Sequence, residues 1–301
     1  MKSTLLLCCM IILISSCQSK TSKAIQTSSS NIDSTLQIRI DSILQNRLSE
    51  LDATAGQVIV MEVQTGEIKA SAGTELKPQE SGLIRTASLL AALETKTVQL
   101  SDTVDVDNGT LIIGKDTLLD HNWYRGGYGK ITIQQGFGLS SNIANYKTAK
   151  HTFKNAQAFA KALAKYGYQV KDTNLVYNPS GYGVFTTPLQ NLTFYNAIAQ
   201  GMIGDKTAVN NIKRALEYTV TDGLARPAMS DKVKIAGATG TIQLPNGEYA
   251  VEFCGYFPAD NPQYSIIVSI NKKDKPASGG LMAGTVFRQI AEFLMATNDK
   301  K

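Results

Sequence analysis

The sequence predicts an α+β fold of the α/β/α kind: one mainly antiparallel sheet of about five strands with helices on both faces. Three observations carry the prediction. Two apolar, β-branched strand patterns open the chain, a long helical stretch fills its middle, and three apolar strand patterns follow one another near its end. The helical pattern over residues 83–94 is apolar around much of its circumference, which places it between layers.

Taken in order, residues 32–51 carry Leu36, Ile38, Ile40, Ile43, Leu44, Leu48 and Leu51 at mostly helical spacing. This helix is expected to pack on the sheet. Residues 57–63 are β-branched and apolar, hence a buried strand. Gln64, Thr65 and Gly66 make a turn, and residues 67–71 continue as the second strand of a hairpin. Leu83, Ile84, Ala87, Leu90, Ala91 and Leu93 mark the central helix, whose alanines favour that state. Residues 104–121 read as short strands and turns. Residues 140–150 and 156–166 read as helices, the second ending near Gly167, and residues 188–203 as another. Residues 234–244, 248–257 and 264–271 are three successive strands. Pro245, Asn246 and Gly247 form the first turn between them, and residues 259–263 the second. Residues 285–296 close the chain as an amphipathic helix. No internal repeat is present, and no linker follows Leu51.

The chain has 301 residues, 43% hydrophobic and 18% charged, with a net charge of +5, an ordinary globular composition. Its cations are scattered and never interleave with aromatics, so nucleic acid is not an expected partner. Lys2, a short apolar run over residues 5–14, and Ile14-Ser15-Ser16-Cys17 read as a bacterial lipoprotein signal. The run is too short to span a bilayer. Residues 1–16 are then the signal peptide, Cys17 the lipidation site and residues 17–31 a Ser/Thr/Lys-rich tether. The remaining residues, 32–301, form one domain. An ordinary secretory signal ending near Ser16 differs from this reading only in lacking the lipid. Gln18, a non-acidic residue after the cysteine, points to the outer rather than the inner membrane. The expected location is the cell envelope, lipid-anchored and facing the periplasm. Cys8 and Cys9 leave with the signal, so Cys254 remains without a disulfide partner. His121 and His151 are far apart, and neither a metal nor a cofactor is expected.

Three short segments stand in a telling order: Gly82-Leu83-Ile84-Arg85, Ser140-Ser141-Asn142 and Ala238-Thr239-Gly240-Thr241. Serine acyl-transfer enzymes carry S-x-x-K, S-x-N and K-T-G in that order. The flanking stretches GQVIVMEVQTGEIKA, SGLIRTASLLAALE, YGKITIQQGFGLSSN, SGYGVFTTPLQNLTFYNAIAQ, IAGATGTIQ and FCGYFPADNPQYSIIVSINK are in register with the motifs. Over residues 57–294 the chain thereby resembles the transpeptidase domain of penicillin-binding proteins, with the serine β-lactamase-like fold. The N-terminal pedestal of the large class B synthases is not part of the resemblance.

In that family the first serine attacks a D-Ala–D-Ala carbonyl or a β-lactam ring, and the lysine one helical turn later takes its proton. The S-x-N serine relays a proton, its asparagine holds the substrate backbone, and the K-T-G threonines bind the substrate carboxylate. Backbone N–H groups at the nucleophile and on the K-T-G strand hold the oxyanion. Here Gly82 replaces the nucleophile, Arg85 the base and Ala238 the third cation. A guanidinium does not give up its proton, so Arg85 is no base. The resemblance leaves Ser140, Asn142, Thr239, Gly240 and Thr241 as expected ligand-binding residues, with no catalytic residue intact. Losing the nucleophile from such a unit costs about a million-fold in turnover.

Other serines offer little. Ser81 has Ile84 three residues on, and the one literal S-x-x-K, Ser269 to Lys272, ends a strand. Ser140 is the best spare hydroxyl, if Lys147 or a distant group reaches it. Structural readings compete with functional ones. Ser140-Ser141-Asn142 suits a helix cap, and Tyr182 suits turn packing. Trp123 and Tyr124, within residues 122–127, suit an exposed aromatic loop or a cover on the core. Arg85 suits an internal ion pair more than a ligand contact.

The expectation is a degenerate penicillin-binding-protein-like lipoprotein that binds a peptidoglycan stem peptide or a cell-wall synthesis protein. One alternative is a weak D,D-transpeptidase, carboxypeptidase or β-lactam-binding enzyme with a displaced nucleophile. Another is a protein-interaction scaffold with a closed cleft.

Overall fold

A computed structural model describes residues 34–298. The expected signal peptide, the lipidation site Cys17 and the tether lie outside these residues. The described chain opens with α1 (Ser34–Glu50), β1 (Ala53–Glu62), β2 (Ile68–Gly73), β3 (Gln79–Glu80) and α2 (Ile84–Glu94). A region of short elements follows: β4 (Thr103–Asp105), β5 (Thr110–Ile113), β6 (Asp116–Leu119), β7 (Lys130–Thr132), α3 (Ile133–Gly138), α4 (Asn142–Thr152), α5 (Ala156–Ala164) and β8 (Phe185–Thr186). Two longer helices come next, α6 (Pro188–Gln200) and α7 (Lys206–Thr221). The chain returns to the sheet with β9 (Ala236–Gln243), β10 (Tyr249–Phe257) and β11 (Tyr264–Lys272), then a π-helical turn (Gly280–Gly284) and α8 (Thr285–Asn298).

The main sheet has five strands in the order β2-β1-β11-β10-β9, antiparallel throughout, as the sequence predicts. The first hairpin joins the last three strands through β1 and β11, with Val58 opposite Val268 and Val60 opposite Ile266. Both faces are covered, which is why β1, β10 and β11 read as continuous apolar runs rather than alternations. On one face Ile59, Met61, Cys254, Tyr256 and Ile267 pack with α2, α6 and α7. On the other, Val58, Val60, Val251, Phe253 and Val268 pack with Leu36, Ile40 and Leu44 of α1 and Phe287 and Ile290 of α8. Ten of the eleven residues of α2 are buried, as its all-round apolar pattern requires.

Three differences from the sequence reading stand out, two of them with local causes. Helix α4 starts at Asn142, not residue 140, because Ser141 is its N-cap, accepting from the Ala144 N–H, and Ser140 has a left-handed φ of 53°. Helix α6 stops at Gln200 because Gly201 takes φ 73° as its cap. Helix α7 is absent from the sequence reading, although Asp205 caps it and Val209, Ile212, Ala215 and Leu216 form its buried stripe.

Candidate functional site

The site begins at the turn into α2. The Ser81 hydroxyl accepts from the Leu83 N–H (3.2 Å) and from the Asn191 amide (3.2 Å), and donates to Glu252 Oε2 (2.5 Å). The other carboxyl oxygen accepts from the Ser269 hydroxyl (3.0 Å). Burial pushes the Glu252 carboxyl up to about 7, against the two serine hydrogen bonds that favour its charged form. This buried network ties the start of α2 to β10, and with it to β9. At Gly82 the consequence is severe: a Cβ there would lie 2.9 Å from Gly240 Cα and 3.0 Å from the Thr241 nitrogen. Backbone fills the volume that a nucleophilic side chain would need.

Beyond this contact opens a cleft of about 1000 Å³. Arg85, Ser140, Asn142, Thr239 and Thr241 line it, so residues from all three motif segments converge on one space. Gly82, Ala238 and Gly240 are not part of its wall. Ala238 belongs to the core under α2. Gly240 faces inward, where a Cβ would stand 2.9 Å from Glu252 Oε2. Among the ligand-binding residues named from sequence, Gly240 is therefore the one whose position serves close packing instead of facing the cleft.

The polar groups on the wall are partly committed. The Asn142 amide donates to the Leu119 carbonyl (2.8 Å), and its oxygen receives Arg85 Nη2 at 3.5 Å. The Thr241 hydroxyl accepts from the Gly279 N–H (2.9 Å). The Ser140 hydroxyl makes no hydrogen bond to any described residue, and Lys147 donates to the Asp105 carbonyl (2.6 Å) rather than to Ser140. Ser141 takes the capping role and donates to Asp120 (2.7 Å), which leaves its neighbour facing the cleft. The literal S-x-x-K is dispersed: Ser269 is buried on Glu252, and Lys272 donates to the carbonyls of Asp274 and Pro276. Ser81 does have an acid partner, but from a strand 171 residues away, and the pair is buried outside the cleft wall.

The expected internal ion pair of Arg85 does not form. Among the described residues the guanidinium enters no salt bridge. It makes two long hydrogen bonds, to the Ser140 carbonyl (3.4 Å) and to Asn142, and its Nε has no partner. Burial holds its pKa below the usual value, while Asp120 pulls the other way from a distance. Both oxygens of Asp120 are already engaged, by Ser141 and by the Ile143 N–H. An isolated buried ion costs on the order of several kcal/mol.

Sequence reasoning did not find other parts of the wall, among them Asp120, His121, Tyr249 and residues 275–281. His121 is bonded to the Tyr128 hydroxyl (2.8 Å), and burial holds its pKa below the usual value. Trp123 and Tyr124, half-exposed and stacked edge to face, form an aromatic lip. Tyr182 lines the cleft while packing beside Ile242 and Leu244. A second cavity of about 530 Å³ adjoins through Leu119, Asn142 and Tyr182. Among the described residues no group of three His, Cys, Asp or Glu side chains is arranged to hold a metal.

Known proteins resemble this chain along most of its length. It shares 22% identity and a TM-score of 0.79 with a peptidoglycan glycosyltransferase from Burkholderia ambifaria, over 89% of this chain and 97% of that one. The transpeptidase domain of Burkholderia pseudomallei penicillin-binding protein 3 gives 21% and 0.79, over 89% and 96%. Penicillin-binding protein 3 of Mycobacterium tuberculosis, complexed with aztreonam, gives 18% and 0.77, over 89% and 78%. Stage V sporulation protein D of Bacillus subtilis is 31% identical over 100 residues, a match spanning 31% of this chain and 16% of that protein. The family model for the penicillin binding protein transpeptidase domain matches residues 56–292. That match runs from within β1 to the middle of α8 and contains every wall residue of the cleft, and so the chain belongs to the penicillin-binding protein transpeptidase family.

Proposed function

We propose that this protein is a non-acylating member of its family, acting in cell-wall synthesis by binding a peptidoglycan stem peptide in the cleft. The closed contact at Gly82 carries the reading. The nucleophile is missing, and the space for one is occupied by Gly240 and Thr241 backbone. The S-x-N and K-T-G positions nevertheless still open onto a cleft of about 1000 Å³, large enough for a small peptide. Arg85 cannot serve as base, and among the described residues no lysine is hydrogen-bonded to the Ser140 hydroxyl, Lys147 being bonded to the Asp105 carbonyl.

Intact-protein mass after incubation with penicillin tests the chemical half. No added mass is expected, and a stoichiometric adduct, mapped to Ser81 or Ser140, overturns it in favour of a displaced nucleophile. Calorimetric titration with a stem peptide ending in D-Ala–D-Ala tests the binding half. The expected dissociation constant is in the micromolar to millimolar range, and no heat at several millimolar peptide favours the scaffold reading.

We also propose that Cys17 is lipidated and holds the domain at the membrane. No helix among the described residues is long and apolar enough to cross a bilayer. Cys17→Ser is expected to move the protein from the membrane fraction of the cell to the soluble one.

A further inference from the structure

Arg85 stands out among the groups on the cleft wall. It is 8% exposed, it meets the cleft, no acid pairs with it, and none of its nitrogens has a short hydrogen bond. Buried charges are ordinarily paired. Here Asp120, the acid whose charge acts on it, is held by Ser141 and the Ile143 amide and makes no ion pair with it. The other cation on the wall, Lys275, is exposed and lies over the Tyr249 ring, where water screens it. Ala238, the third-motif position, is uncharged and turned into the core. The Thr241 hydroxyl is already engaged by Gly279. Around the mouth, the exposed apolar or aromatic side chains Trp123, Tyr124, Leu224 and Leu281 stand among the exposed polar ones of His121, Gln243 and Lys275.

We propose that Arg85 is the anion site of this cleft: the ligand presents a carboxylate to the guanidinium fork, with small apolar groups against the mouth. The inference rests on the binding reading above and names what is recognised and by which residue. It moves the carboxylate away from the Thr239 and Thr241 hydroxyls to the floor of the cleft beside Ser140 and Asn142. The fork is suited to this because its planar donors match a carboxylate two to two. The two long bonds that now hold it are easily given up.

The test compares acetyl-D-alanyl-D-alanine with its C-terminal carboxamide, titrated calorimetrically into the purified full chain, its Arg85→Gln variant and its Arg85→Lys variant. The wild-type protein is expected to bind the acid at least about tenfold more tightly than the amide. Arg85→Gln is expected to bring that ratio to about one by weakening the acid alone, and Arg85→Lys, with charge but no fork, to give an intermediate ratio. Thermal unfolding of each variant reports whether it is folded. An undiminished ratio in Arg85→Gln, or equal binding of acid and amide by wild type, overturns the inference and leaves peptide binding in place. No binding of either probe to wild type overturns both.

Discussion

At the scale of single residues, three positions on or beside α2 make opposite predictions from their surroundings. Restoring a serine at Gly82 forces a side chain to within 3 Å of β9 backbone. Gly82→Ser is therefore expected to lose about 1–3 kcal/mol of stability by overpacking, seen in urea unfolding, and to remain unacylated by penicillin in intact mass. Arg85 behaves in the reverse sense. A cation buried without a pair is a cost in the empty protein, and Arg85→Met keeps most of the volume while removing the charge. Its unliganded stability is expected to rise by about 1 kcal/mol or more, while carboxylate binding disappears. Glu252 gives a pH dependence. Its carboxyl titrates at about 7 when folded and near 4.5 when free, so between those values the folded state holds more protons than the unfolded one. Stability from this group is full below about 4.5 and is lost as pH rises through 7, with a slope of at most about 1.4 kcal/mol per unit. Glu252→Gln is expected to flatten that part of the stability–pH curve and to be relatively more stable than wild type at pH 8.

At the scale of elements, boundaries follow caps more than periodicity. Asp205 accepts from the N–H groups of Thr207 and Ala208, so Asp205→Ala is expected to cost about 1 kcal/mol, measured by denaturant midpoint with an unchanged slope. The strands of the central sheet were readable because both faces are buried and their runs are long. Helix α7 was equally readable from its stripe of Ala208, Val209, Ile212, Ala215 and Leu216, and its omission is a failure of reading rather than of signal. Helix α3 is different: it has six residues, four of them glycine or glutamine, and only the Thr132–Gln135 capping box marks it. At the site, the motif residues were legible because they lie at fixed spacing within short segments. Asp120 and Lys275 were not, because segments far apart in the sequence bring them to one wall, and Tyr249 reaches it from β10, opposite Gln243 of β9. The Ser81–Glu252 bond belongs to the same class, joining a turn to a strand far along the chain.

At the scale of the whole molecule, the sheet is closed by its two termini. Helix α1 comes first and α8 last, yet both cover the same face, and Arg47 of α1 donates to the carbonyls of Leu281 and Met282 just before α8. Helix α1 is therefore part of the fold, not an appendage to a tether. Leu44→Ala, at a fully buried α1 position, is expected to cost about 2–5 kcal/mol in urea unfolding of the whole domain. The contact of Gly82 with Gly240 also bears on history. With the gap shut, reversion has a compulsory order: β9 must first recede, and only then does a codon for serine become useful. On the non-acylating reading proposed above, a population of variants selected for penicillin capture should accumulate changes around Gly240 before any at position 82, because the obstacle to a side chain there is backbone.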